Sequence, residues 1–147
     1  MSPDQHRLVI LRHDHPYLHW DFLVEREQHD ALQSWRLLRE PICDEWIRAE
    51  ALPDHRIAYL AYEGPVSGGR GYVRQVNSGI FWTENSGHPA TLGDVPRLDG
   101  PSSELSSLLI LHLEVETGEP LFRRCTAELF EGKDGRLFWL FRRQSGV

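Results

Sequence analysis

Leu8-Val9-Ile10-Leu11-Arg12-His13-Asp14-His15-Pro16-Tyr17-Leu18-His19-Trp20-Asp21-Phe22-Leu23-Val24-Glu25 is the stretch on which the reading of this chain turns. Residues 6–12 form an apolar run with an arginine near each end, and residues 17–27 form a second apolar and aromatic run. The few residues between them contain a proline, so the spacing predicts two strands joined by a tight connection. Successive side chains of a strand leave opposite faces. His19 and Asp21 therefore share a face of the second strand. The connection through Pro16 can bring His13, at the end of the first, back over that face. Two imidazole nitrogens and one carboxylate oxygen then converge from one side and leave the other open. Such a donor set suits a divalent metal of borderline softness, such as Mn²⁺ or Zn²⁺. A lone strand histidine is ordinarily a surface or satisfied core residue. Here three histidines and two aspartates crowd into residues 13–21, although the short signatures HExxH and CxxC are absent from the sequence.

Working outward, the polar cluster Glu25–Asp30 turns the chain into a returning strand at residues 31–38. Residues 43–51 read as a short helical turn, with strand as the alternative. Pro53-Asp54-His55 reads as a break, and residues 56–63 as a strand stopped by Gly64-Pro65. Ser67–Gly71 is a glycine-rich turn. Tyr72–Val76 and Ile80–Thr83 read as a hairpin through Asn77-Ser78-Gly79. Residues 84–105 hold three prolines and three glycines and read as a long surface loop. In the strand at 107–116, His112, Glu114 and Glu116 share one face, and Leu111, Leu113 and Val115 the other. Strands at 121–130 and 137–142 close the chain through Asp134-Gly135, a strong hairpin signal. No long stretch keeps a helical period. The expectation is one all-β domain over residues 1–147, a barrel or a sandwich.

Composition narrows the function classes. A formal net charge of -6 argues against a generic nucleic-acid coat, while leaving room for a local basic patch. All the basic residues except Lys133 are arginine, the side chain that forks onto phosphate, though a GC-rich genome produces the same bias. No run approaches the roughly 20 apolar residues of a membrane span, and the N-terminus shows no apolar signal core. The expected location is the cytoplasm, with no membrane partner. Cys43 and Cys125 stand apart in sequence, and a reducing compartment disfavours a disulfide between them.

These residues fall into blocks that resemble the 3'-phosphoesterase module of bacterial DNA ligase D, the ligase of non-homologous end joining. The first block of that family is an apolar strand, His-Asp, a short basic stretch and Leu-His-Tyr-Asp; here it reads His13-Asp14 and then Leu18-His19-Trp20-Asp21. The second, Leu-Lys-Ser-Trp followed by Pro, reads Leu32-Gln33-Ser34-Trp35 and then Pro41. The third, Glu-Asp-His-Pro followed by Tyr and Glu-Gly, reads Pro53-Asp54-His55-Arg56, Tyr59 and Glu63-Gly64. The closing Phe138-Trp139-Leu140-Phe141-Arg142-Arg143 is similar to the family's last strand. The resemblance covers nearly the whole chain.

What the resemblance implies is a compact β-barrel, here of about eight strands. It implies a divalent metal, most often Mn²⁺ with Zn²⁺ or Co²⁺ as substitutes, held by His13, His19 and Asp21. It implies that His55 and Tyr59 contact the scissile phosphate. The implied activity removes a 3'-ribonucleoside and then a 3'-phosphate from DNA ends or RNA–DNA primer-templates. A separately encoded ligase or polymerase would be the partner. The chain also departs from the pattern. The family's arginine two residues after the metal-binding aspartate is Leu23 here, and its Glu before Asp-His is Pro53. Arg48 lies one position from the place of another family arginine. Arg12 and Arg48 are the expected phosphate-binding residues, with Arg36 and Arg74 as other sources of a guanidinium. The departures also motivate an alternative: a catalytically degenerate module that binds a nucleic-acid end or a repair protein. A third reading, a hydrolase of small phosphate esters, would use the 84–105 loop as a lid.

Overall fold

Strand-forming runs separated by turns place the backbone hydrogen bonds of this chain between strands, and the sheet they build closes on itself. The computed structural model describes residues 5–26, 30–83, 106–117, 121, 123–132 and 134–143. Its strands are β1 (His6–His13), β2 (His19–Val24), β3 (Ala31–Leu37), β4 (Trp46–Arg56), β5 (Gly64–Pro65), β6 (Tyr72–Thr83), β7 (Ser106–Thr117), β8 (Arg124–Glu131) and β9 (Leu137–Arg143). The order is β1-β2-β3-β4-β9-β8-β7-β6-β5, and β1 also pairs with β6. Eight antiparallel strands thus form a closed barrel, with β5 added beside β6. Closure leaves no long unpaired edge among the described strands. Among the described residues, no helix is long and apolar enough to cross a membrane.

The period of two sorts the side chains. Phe22, Trp35, Trp139 and Phe141 point into the barrel, where Phe22–Trp139 and Trp35–Trp139 pack edge to face with ring centroids 5.0 and 5.1 Å apart. On β7, Leu111, Leu113 and Val115 are buried inward as the alternation requires. Cys125 and Cys43 sit in the same core as free thiols. A hydrogen bond with Cys43, reinforced by burial, holds the Cys125 thiol far above its ordinary range.

A second apolar cluster lies outside the barrel wall. Val9, Leu11, Leu23 and Leu32 leave β1, β2 and β3 on the outer face and meet Val66 and Val73. They are covered by Ile57, Tyr59 and Leu60 of a 3-10 turn spanning Ile57–Leu60. This double burial explains why β1 is apolar at both parities. It also places the face that continues from Leu11 and Leu23, the face of the histidine cluster, on the outside of the barrel beneath the segment 56–66.

Four local expectations are corrected. Residues 43–51 are not helical: a turn at Cys43-Asp44 leads directly into β4. There Ile47 and Ala49 fill the core while Arg48 and Glu50 face out, a strand alternation that pairing with β3 and β9 fixes. Pro53-Asp54-His55 does not break the chain but forms a bulge within β4, where a proline is tolerated. Residues 57–60 form the 3-10 turn rather than a strand. Finally, Asn77-Ser78-Gly79 is no hairpin turn, because β6 runs unbroken from Tyr72 to Thr83 and pairs with β1 along its length. A bulge opposite Ile10/Leu11 reverses the phase of its side chains, so that Val73 faces the outer cluster and Phe81 the barrel core. Gly79 is needed because a Cβ there would lie 2.2 Å from the Glu114 carbonyl oxygen. The 84–105 loop lies outside the described residues.

Candidate functional site

β1 and β2 form a hairpin in which His13 stands directly opposite His19. Asp21, two residues further along β2, shares the outer face of His19. His13 Nδ1 lies 3.5 Å from Asp21 Oδ2, and His19 Nε2 lies 3.2 Å from Asp21 Oδ1. One donor atom from each of the three side chains falls within a sphere of contacts no wider than 4.8 Å. His19 and Asp21 are almost fully buried, with 1% and 3% of their side chains exposed.

The backbone sets the tautomers. His13 Nε2 donates to the Arg70 carbonyl oxygen at 2.8 Å, and His19 Nδ1 donates to the Tyr17 carbonyl oxygen at 2.8 Å. A carbonyl can only accept, so each of these ring nitrogens carries the proton. In the neutral imidazoles the opposite nitrogens, His13 Nδ1 and His19 Nε2, aim lone pairs at the carboxylate. Despite the 3.2 Å approach, Asp21 Oδ1 makes no hydrogen bond. Lone pairs facing a buried carboxylate repel it unless a cation lies between them. Backbone carbonyls holding the far side of each imidazole are the usual outer support of a metal-ligating histidine. The residues therefore fit a divalent ion: two nitrogen donors and one oxygen donor, oriented and mutually close.

The carbonyl of Arg70 comes from the glycine-rich turn, and Gly71 lets that turn approach the β1–β2 loop. Gly71 has φ +83°, and a Cβ there would sit 2.4 Å from Asp14 Oδ1 and 2.5 Å from His15 Cβ. Asp14 Oδ1 accepts from the Tyr72 backbone N–H at 2.8 Å, tying the loop to β6. Asp14 is thus a structural member of the histidine-rich stretch and not a fourth ligand.

The remaining residues arrive through sheet register. Arg36 of β3 is the direct partner of Asp21, so both project from the same face. The β4 bulge keeps Leu52 opposite Ser34 but places His55 opposite Leu32. Leu52 and His55 consequently share the outer face although they are three residues apart. Without the extra residue His55 would face inward. His55 Nδ1 donates to the Pro53 carbonyl oxygen at 3.2 Å, which leaves Nε2 as its second functional nitrogen. Tyr59 follows on the 3-10 turn, its ring 5.7 Å from that of His55.

His13, His19, Asp21, Arg36, His55 and Tyr59 line one open cavity of about 280 Å³. The structure therefore brings together the three expected metal ligands and the two expected phosphate contacts. Tyr59 both covers the outer apolar cluster and faces the cavity. Arg12 and Arg48 do not line it. Arg12, one residue from His13, leaves the opposite face of β1 and pairs in register with Trp20 and Arg74. Arg48 faces outward like Glu50 but lies further along β4, opposite Phe138. Arg56, which the sequence had not singled out, lines this cavity and a neighbouring one shared with Tyr59 and Tyr62. The two orienting carbonyls also escaped the sequence reading, since any residue supplies a carbonyl. No protein-family model matches the chain, and no curated protein matches it in sequence.

Proposed function

We propose that this chain is a divalent-metal-dependent phosphoesterase that heals DNA 3' ends by removing a 3'-phosphate or 3'-ribonucleotide, in double-strand break repair by non-homologous end joining. The observation that carries this reading is the pair of carbonyl-anchored imidazoles facing a buried carboxylate, in one cavity with His55 and Tyr59. His13, His19 and Asp21 would hold the ion. Mn²⁺ is the expected metal, and Zn²⁺ or Co²⁺ suits the same donors. Such an ion, when bound, withdraws charge from a phosphate oxygen and eases attack by water.

The protein's own groups supply the rest. With Nδ1 committed to Pro53, His55 uses Nε2 to deliver a proton to the leaving oxygen. The Tyr59 hydroxyl donates a hydrogen bond to a phosphate oxygen as negative charge builds there. The outcome is a 3'-hydroxyl that a separately encoded ligase or polymerase can use.

One observation favours a second reading, a non-catalytic module that holds a nucleic-acid end or a repair protein. Leu23 is fully buried where the resembled family places a phosphate-touching arginine. The two readings separate in a gel assay. A 3'-phosphate end and a 3'-monoribonucleotide primer–template are each incubated with metal-stripped protein, with and without Mn²⁺. Phosphoesterase activity appears as Mn²⁺-dependent conversion to a 3'-hydroxyl that His19→Ala abolishes. A protein that binds Mn²⁺ and holds the phosphorylated end without converting it is the binding module.

A further inference from the structure

Leu23 cannot be a latent phosphate contact. It is fully buried between Val9, Leu11 and Leu32 beneath the 3-10 turn, so the position two residues after Asp21 belongs to the outer apolar cluster. Any guanidinium serving the cavity must come from another strand. Arg36 and Arg56 are the arginines lining it among the described residues. Arg56 is exposed and divides itself between two cavities. Arg36 stands directly across from Asp21 and is held in place. Its Nη1 donates to the Tyr17 hydroxyl at 2.9 Å, and its guanidinium carbon lies 5.3 Å from the Tyr17 ring centroid. Its Nε is buried with no acceptor among the described residues. Among the described residues the nearest carboxylate, Glu50, is 3.9 Å away and half exposed, too distant and too solvated to occupy the fork.

We infer that Arg36 is the phosphate clamp of this site, taking over from β3 the charge that position 23 on β2 does not supply. This rests on the phosphoesterase reading for its substrate but not for its geometry. A planar guanidinium that lines the cavity and is anchored by Tyr17 can donate side by side to two phosphate oxygens. The cation of the clamp and the metal ligands then approach a phosphate from adjacent strands. Tyr17, on the loop between the two histidines, links them: its carbonyl orients His19 and its hydroxyl orients Arg36.

The test measures orthophosphate binding to the Mn²⁺-loaded protein by calorimetry, in wild type, Arg36→Ala and Arg36→Lys. The clamp predicts a loss of roughly ten- to a hundredfold in Arg36→Ala, from the charge-assisted hydrogen bonds removed. Arg36→Lys, which keeps the charge but not the fork, falls between, and Mn²⁺ affinity stays within about twofold throughout. Phosphate affinity in Arg36→Ala within twofold of wild type overturns the clamp, and so does a wild type that binds no phosphate. If Arg36→Ala does not fold, Arg36→Lys decides alone: undiminished affinity overturns the clamp, and a several-fold loss supports it. Turnover of a 3'-phosphorylated oligonucleotide is read in the same samples. Arg36-dependent phosphate binding without turnover removes the phosphoesterase reading and leaves the clamp standing. Full turnover by Arg36→Ala does the reverse.

Discussion

His13 Nε2 donates its proton to the carbonyl oxygen of Arg70, 57 residues further along the chain and 2.8 Å away. That bond makes the glycine-rich turn between β5 and β6 part of the candidate metal site. It fixes the imidazole with Nδ1 toward Asp21, and it connects ligand geometry to a backbone segment that carries no ligand itself.

The first consequence concerns the ion. If His13, His19 and Asp21 bind Mn²⁺ or Zn²⁺ only in the folded state, the metal adds stability. At a hundredfold excess over its dissociation constant the gain is about 2.7 kcal/mol, or roughly 5–10 °C in Tm for a chain of this length. Asp21→Asn, which keeps the shape and removes the charge, is expected to lose that increment. Thermal unfolding with Mn²⁺ and with chelator measures it in both proteins.

The turn makes a prediction at a distance from the ligands. Gly71→Ala would push a Cβ into Asp14 and His15 at a positive φ, and is expected to cost about 1–3 kcal/mol and to weaken Mn²⁺ binding together. Gly69→Ala is the control. Gly69 also has a positive φ, but nothing lies within 4 Å of its Cβ position, so stability falls slightly and metal affinity holds. Urea denaturation and Mn²⁺ titration of the two variants distinguish a general backbone effect from loss of His13 orientation.

Restoring the arginine of the resembled family is expected to fail. Leu23→Arg would force a guanidinium in among the fully packed apolar side chains Val9, Leu11 and Leu32, at a cost of about 3 kcal/mol. An unchanged denaturation midpoint for Leu23→Arg would show that this cluster opens easily, contrary to its burial.

The buried thiols predict a pH effect with a definite sign. Contact with Cys43 and burial keep Cys125 protonated in the folded state, while the unfolded chain releases that proton near the ordinary thiol value of 9.0. Above that pH the unfolded state binds fewer protons, so the contribution of this group to stability falls as pH rises. It is fully present at lower pH. The difference in urea midpoint between wild type and Cys125→Ala should shift against wild type between pH 8 and pH 10. A difference that stays constant over that range rules out titration of Cys125.

How much of this was legible in the sequence differs from residue to residue. The β1–β2 hairpin and its three donors could be read directly, because a strand period of two and a short connection determine which side chains meet. The pairing of Leu111, Leu113 and Val115 inward followed from the same rule. Local rules failed where the period is interrupted by a bulge. Pro53-Asp54-His55 and Asn77-Ser78-Gly79 look like breaks in one dimension, yet both lie within continuous strands whose neighbours supply hydrogen bonds on either side.

The amino-acid sequence by itself determined that strands would dominate and that His13, His19 and Asp21 would share a face, since both depend on spacing over a few residues. Closure of eight strands into a barrel is a relation between β1 and β6, set by long-range pairing. Tertiary structure also decided that the histidine face lies outside that barrel, and that Arg36 rather than Arg12 or Arg48 reaches the cavity. Which side chains meet across strands depends on register and on bulges, and these are fixed only when the whole sheet satisfies its hydrogen bonds at once.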